Sequence, residues 1–389
     1  MHLLSKEVFI PGRDGRPVFP GFVSYVSATE PLLIHRSGWV DASDTYDDFA
    51  DRFSADNGAT WSEPVMKLQS HLVPEGRVRY AENACFFDAD TGKLLTFCSR
   101  GLYPQDRLDV DGGFHLTWDV YDPAMGAWRG EEVIPHELPG GLQISFCFPL
   151  KTRSGKLLVP AMTILRDAEG NARHYPGCWA PLETSFTLIG EAESGGGVRW
   201  TVGRPVEVDP EQSSRGFSEN ALAALADGRI AMVMRGDNSM FPERPGHKWL
   251  AFSEDEGLTW SAPEPLGCTD GEPIESGSNG CALVRSCTDG QLYFIGNLAA
   301  AGERAKGNWP RSPLVIAQVQ EEPFALRRET ITEIDRRQPG EPPLTQMSNF
   351  RFYQDRLTGD IVLFLSRFGE QDPDNFKLAD YYRYRVALD

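Results

Sequence analysis

The sequence lacks most of the features that mark membrane, metal and cofactor proteins. No run of about eighteen apolar residues occurs, so nothing in it reads as a membrane-spanning helix. Residues 1–7 carry no long apolar stretch and give no signal-peptide pattern. HxH, HExxH and paired Cys/His sets are absent, as are a phosphate loop and a convincing dinucleotide fingerprint, so neither metal nor cofactor is expected. The seven cysteines form no CxxC pair, and several, such as Cys98, sit inside apolar strand patterns. They read as buried reduced thiols and favour a cytoplasmic setting. Positive charge is short as well: 38 Lys and Arg stand against 56 Asp and Glu, a net charge of −18. That balance disfavours nucleic acid and anionic membranes as partners, whereas a local arginine cluster can still receive an anionic ligand. Long helical patterns and linkers are missing too, so residues 1–389 read as one domain.

Strand and turn signals are abundant. The 38 Gly and 28 Pro suit many short strands joined by turns. A unit of polar pair, apolar strand, turn and second apolar strand recurs six times. Its copies fall at residues 19–25 with 32–36, 82–87 with 94–97, 144–148 with 157–160, 218–222 with 230–235, 278–283 with 292–295, and 348–352 with 361–365. Pairs such as Asp227-Gly228, Asp289-Gly290 and Thr358-Gly359 between strands are hairpin signals. The units are roughly 60–75 residues apart, room for four strands and their loops. Residues 314–317 and 329–334 read as third and fourth strands of the fifth copy. Residues 381–386 read as the third strand of the sixth, which then lacks an outer strand that residues 3–10 can supply. The expected fold is therefore all-β, a six-bladed β-propeller of four-stranded antiparallel blades whose N-terminal strand closes the last blade.

One motif is longer than chance allows. Ser54-Ala55-Asp56-Asn57-Gly58-Ala59-Thr60-Trp61 and Ser253-Glu254-Asp255-Glu256-Gly257-Leu258-Thr259-Trp260 both fit S-x-D-x-G-x-T-W, and degenerate copies end at Trp128 and Trp200. This is the Asp box, and through it the chain resembles the sialidase (neuraminidase) superfamily at the level of blades over its whole length. The box itself is a turn: the carboxylate accepts backbone N–H bonds, the glycine takes a positive φ and the tryptophan packs between sheets. The resemblance implies that Asp56 and Asp255 lie far from any active site.

Candidate site residues follow from polar groups where a core strand needs none. The pairs Glu82-Asn83, Glu219-Asn220, Ser278-Asn279 and Ser348-Asn349 open inner strands and suggest a ring of hydrogen-bonding groups. Glu219 with Arg235 sixteen residues later resembles a sialidase signature, and Arg311 in Asn308-Trp309-Pro310-Arg311 resembles the family's third arginine. The resemblance implies that Arg235 and Arg311 clamp a carboxylate, for which an arginine fork is suited, with Glu219 assisting the nucleophile. In that family an aspartate after the first hairpin is the acid/base; here Asp41 and Asp44 are the candidates, with His35 as an alternative base. Substrate-binding candidates are thus Arg235, Arg311, Arg36, Glu82, Asn83, Asn220, Asn279 and Asn349.

Two departures stand against the resemblance. Val18 occupies the place of the family's first arginine, leaving Arg16 or Arg36 to supply that charge. Met347-Ser348-Asn349 stands where the family's nucleophilic tyrosine opens the last inner strand. The expected ligand is an acidic sugar and the first expectation an exo-acting glycoside hydrolase. The alternatives are an arabinanase-type hydrolase using two carboxylates, a uronate lyase with His35 or a tyrosine as base, and a sugar-binding propeller without catalysis.

Overall fold

Short runs of β-branched and aromatic residues, cut by Gly, Asp and Pro, pair locally because two-residue turns bring neighbouring runs together at little entropic cost. In the computed structural model these runs form six antiparallel sheets, the blades of an all-β, six-bladed β-propeller. The structure describes residues 1–12, 16–42, 44–194, 197–372 and 378–388, with all side chains but those of residues 41, 42, 45 and 46. Contacts divide the chain into two compact units, one of Met1–Ile134 with Arg337–Asp389 and one of Pro135–Arg336.

The first unit holds three sheets. One runs Val18–Tyr25, Leu33–Ala42, Thr45–Ser54 and Val65–Leu68 in chain order. The next is built on Gly76–Asp88, Lys93–Pro104 and His115–Asp122. It gains His71–Val73, Ala127–Trp128 and Glu132–Val133 to reach six strands. The third joins Arg351–Gln354, Ile361–Ser366 and Tyr381–Ala387, and the N-terminal strand His2–Ile10 pairs with Tyr381–Ala387 as its outer edge. That strand carries Phe9 into an aromatic cluster with Trp61, Phe364 and Tyr381, so apolar burial holds it in place as well as the ladder.

The second unit also holds three sheets. Leu157–Ile164, Glu183–Ala192 and Val198–Val202 follow a first strand reduced to Leu150–Lys151. The expected inner strand at 144–148 is therefore corrected: Phe146 sits at φ +45 and Pro149 offers no N–H, so only a single Gln143–Met162 bridge precedes Leu150. The middle sheet is Ser218–Ala224, Ile230–Arg235, Lys248–Ser253 and Glu264–Pro265. The last is Cys281–Arg285, Leu292–Asn297, Leu314–Glu321 and Phe324–Leu326, with Thr332–Asp335 also paired to Leu314–Glu321. Ser278-Asn279 and Ser348-Asn349 precede their strands rather than opening them. Among the cysteines Cys287 is exposed, against the expectation of burial.

Both complete Asp boxes close in the same way. Thr60 donates its amide and hydroxyl to the Asp56 carboxylate at 2.8 and 2.6 Å, and Thr259 does the same to Asp255. Those Thr60 bonds, with the Ser54 hydroxyl, pull the Asp56 carboxyl down to about 2.

Candidate functional site

The site in the second unit grows from one edge of its middle sheet. Across three strands Ser218 faces Arg235 and Arg235 faces Lys248, which puts polar residues side by side where the sheet is otherwise apolar. A register slip between Ser218 and Ala221 places Glu219 on a bulge, and Glu219 sits at φ +48. A left-handed backbone at a non-glycine residue costs about 1–2 kcal/mol, so the surroundings hold it there, and bulges of this kind re-aim side chains. Arg235 Nη1 donates to Glu219 Oε1 at 2.5 Å, with the two side chains only 8% and 12% exposed. Glu219 Oε2 and Arg235 Nη2 are buried and have no hydrogen-bond partner among the described residues. Leaving charged groups half-satisfied is expensive, and a ligand bearing both a donor and an acceptor would complete them.

Further charges gather around this pair. Glu183 opens the strand Glu183–Ala192, and its amide donates to the carbonyl of Arg215 at 3.0 Å. Burial pushes the Glu183 carboxyl up, more than Arg235 and Arg215 bring it down. Burial alone would raise Glu219 too, but Arg235, then Arg311, Lys248 and Arg215, outweigh it and hold that carboxyl below its ordinary value. Two neighbouring carboxyls are thus driven in opposite directions, the pattern that separates a proton donor from a charged partner. Lys248 is fully buried and donates to the carbonyl and, at 3.0 Å, to the side-chain oxygen of Asn279. Burial pulls its amine down to about 8. Ser278 Oγ and Asn279 Nδ2 are further buried groups without a partner among the described residues. Beside them Gly280 has to be glycine: a Cβ there would meet Phe146 Cδ1 at 2.2 Å and Glu219 Oε2 at 3.1 Å.

Second-unit loops brace the arrangement. The Asp237 carboxylate accepts from Ser214 and Ser239 hydroxyls at 2.6 and 2.5 Å, tying the segment before Arg215 to the one after Arg235. Asn308 accepts from Arg215 Nη1 at 3.5 Å through its side chain and from Arg311 Nε at 3.3 Å through its carbonyl. Of the sequence candidates, Glu219, Arg235, Arg311 and Asn279 therefore come together. Glu183, Arg215 and Lys248 were not anticipated. The signal existed for Glu183 and Lys248, each a charge opening an apolar strand, but Arg215 lies in a loop with no pattern.

The remaining candidates have partners of their own, and the structure corrects several of them. Asn220 is a strand bracket whose Nδ2 donates to Phe186 O at 3.1 Å. In the first unit, Arg36 is buried in a two-bond pair with Asp51 at 2.7 and 2.9 Å, between the rings of Phe22 and Trp128. Glu82 accepts from buried Arg351 at 2.6 Å, while Asn83 bonds the carbonyl of Ala81 and receives Arg36 Nη1 at 3.4 Å. His35 is wholly buried against Phe9, Trp61, Phe364 and Tyr381, with its Nε2 2.8 Å from the Tyr381 hydroxyl. Burial brings its imidazole down to about 3, so it is a neutral core group and no solvent-facing base. Asp44 is an exposed turn residue at φ +56 whose carbonyl accepts from Tyr103 at 2.8 Å. Asn349 is partly exposed at φ +57. Asp41 lies in Leu33–Ala42, but its side chain is outside the described residues.

Residues 44–349 match the BNR repeat-like domain. No curated protein matches the chain. Among solved structures, a protein of unknown function from Dyadobacter fermentans is similar at 13% identity and TM-score 0.68, over 100% of this chain and 99% of that one. An intramolecular trans-sialidase from Ruminococcus gnavus is similar at 14% identity and TM-score 0.63, over 100% and 98%. An α-L-arabinanase from Penicillium chrysogenum, solved with arabinobiose, is similar at 13% identity and TM-score 0.57, over 100% and 99%. At such identities the likeness establishes the fold alone.

Proposed function

For a chain that belongs to the BNR repeat-like domain family, we propose an exo-acting glycoside hydrolase of an acidic, sialic-like sugar, with its site around Glu219 and Arg235 in the second unit. The observation that carries this reading is the pair of carboxyls pushed apart, Glu183 up and Glu219 down, around an arginine whose buried Nη2 has no partner among the described residues. Arg235 and Arg311 receive the sugar carboxylate. Glu183, the carboxyl whose protonated form burial favours, gives a proton to the leaving oxygen, and Glu219 takes a proton from the attacking water. A substrate carboxylate on Arg235 draws that guanidinium away from Glu219, so binding itself raises the proton affinity of the base. Water as the nucleophile fits the sialidase resemblance, which sets Met347-Ser348-Asn349 at the place of the family's tyrosine. The fold likeness to the trans-sialidase supports the acidic-sugar class.

Asp41 and Asp44 are the second candidates for the proton donor, on the strength of the sialidase resemblance. Activity on chromogenic sialosides and uronides, lost in Glu219→Gln and Glu183→Gln, is the expected result. Loss in Asp41→Asn or Asp44→Asn with Glu183→Gln unaffected would move the donor to that loop. A panel inert throughout, with calorimetry showing tight binding of the same sugars, would leave a sugar-binding propeller instead. The likeness to the arabinanase favours a second reading, a two-carboxylate hydrolase of a neutral sugar. It leaves Arg235, Arg311 and Lys248 without a ligand charge to meet.

A further inference from the structure

An exposed aromatic ring touches Arg215, one of the charges gathered around this site. Trp179 is 60% exposed, the most exposed aromatic side chain among the large exposed hydrophobics. Its segment is tied down on both sides. Cys178 donates its amide to the Tyr175 carbonyl at 2.9 Å and receives His174 Nδ1 on its own carbonyl at 3.2 Å; Leu182 donates to the Arg173 carbonyl at 2.7 Å. Below it, a Cβ on Gly177 would touch Met240 Cε at 3.3 Å, so the loop is packed and not free. The Arg215 guanidinium lies 4.9 Å from the Trp179 ring centroid and covers one part of it. Arg215 then reaches Asn308, which Arg311 also contacts, and Trp179 is only four residues from Glu183, within about 14 Å along an extended chain. Arg215 Nε is itself buried without a hydrogen-bond partner among the described residues, beside the ring.

The Arg215 contact is a favourable cation–π pair, and it leaves most of the indole open to a ligand. A pyranose ring suits such a surface: an apolar C–H face for the ring and hydroxyls for the arginine edge. We propose that Trp179 with Arg215 forms a second saccharide subsite, which takes the neutral sugar ring linked to the acidic sugar held by Arg235 and Arg311. The proposal rests on the reading of the acidic-sugar site and extends it to an oligosaccharide ligand. A macromolecular partner at Trp179 is the competing use of the same ring, and the charged, half-buried Arg215 beneath it favours the sugar.

The test compares 3′-sialyllactose and a trisaccharide ending in glucuronic acid with the methyl glycosides of sialic and glucuronic acid, by calorimetry on the Glu219→Gln protein. The trisaccharide is expected to bind about tenfold more tightly than its methyl glycoside, the range of one aromatic stack. Trp179→Ala should abolish that advantage and leave methyl glycoside affinity within twofold, and Trp179→Tyr should restore most of it. Methyl glycosides that bind with no trisaccharide advantage, or an advantage that survives Trp179→Ala, would overturn the subsite alone. Failure of every probe would overturn it together with the acidic-sugar reading. A change of oligomeric state in Trp179→Ala, seen by light scattering, with the advantage retained would assign the ring to protein contact instead.

Discussion

The same dipeptide lies in a strand of each unit, Glu82-Asn83 midway along Gly76–Asp88, where the sequence had it opening the strand, and Glu219-Asn220 just inside the start of Ser218–Ala224, and each lies at a register slip in its hairpin. Their fates differ. Glu82 meets Arg351, whose guanidinium also bonds the carbonyls of Gly21 and Phe350, in a setting where both side chains are almost wholly excluded from water. Glu219 meets Arg235, and each keeps a buried polar atom without a partner among the described residues. A saturated pair is a packing device, whereas an unsaturated one at a strand edge is built for a third group. The lesson is that an arginine–glutamate pair is read by what is left over after it forms, not by its presence.

The comparison breaks most visibly in stability. Glu82→Ala, or Asp51→Ala under Arg36, strands a buried guanidinium and should cost about 3–5 kcal/mol in urea unfolding. Should Glu82→Ala instead leave stability intact, the first-unit pair is no packing device. Glu219→Gln should show the reverse, a loss of about 10²–10⁴ in kcat with a near-unchanged urea midpoint. The next effect is in acid. His35 is neutral in the fold with its imidazole near 3 rather than its ordinary 6.5, so the unfolded chain binds a proton first. Stability from this residue is complete above pH 6.5 and declines as pH falls toward 3; in His35→Gln the slope of unfolding free energy against pH should flatten over that window. A smaller effect sits at Lys248, which loses its proton near pH 8 instead of 10.5. Affinity for an anionic sugar should fall as pH rises through 8, and Lys248→Met should bind more weakly with that step removed. The slightest is Asp255→Asn, which removes charge from two Thr259 bonds in an exposed turn and should lower Tm measurably without touching activity.

Much of the fold was legible because its signals are local. The hairpin turns, the Asp boxes and the pairing of His2–Ile10 with Tyr381–Ala387 all follow from alternation, turn chemistry and a count of missing strands. The inner strand at 144–148 failed where Pro149 and a left-handed Phe146 interrupted an apolar run that looked continuous. The site was legible only in part. Glu219, Arg235 and Arg311 carried a motif, but Arg36 and Glu82, of the same residue types, went to packing, as did His35. Which carboxylate or ring each one meets depends on the neighbouring strand, about which local spacing says nothing.

By itself the sequence determined five of the six strand-turn-strand repeats and the two closed Asp-box turns, because those depend on interactions within a few residues. Only the tertiary structure decided that Glu183, Arg215 and Lys248 gather at Glu219, and that Arg36 and His35 vanish into the core. Burial and charge pairing between distant segments set proton affinity and leave atoms satisfied or free, and neither is a property of any one stretch of chain.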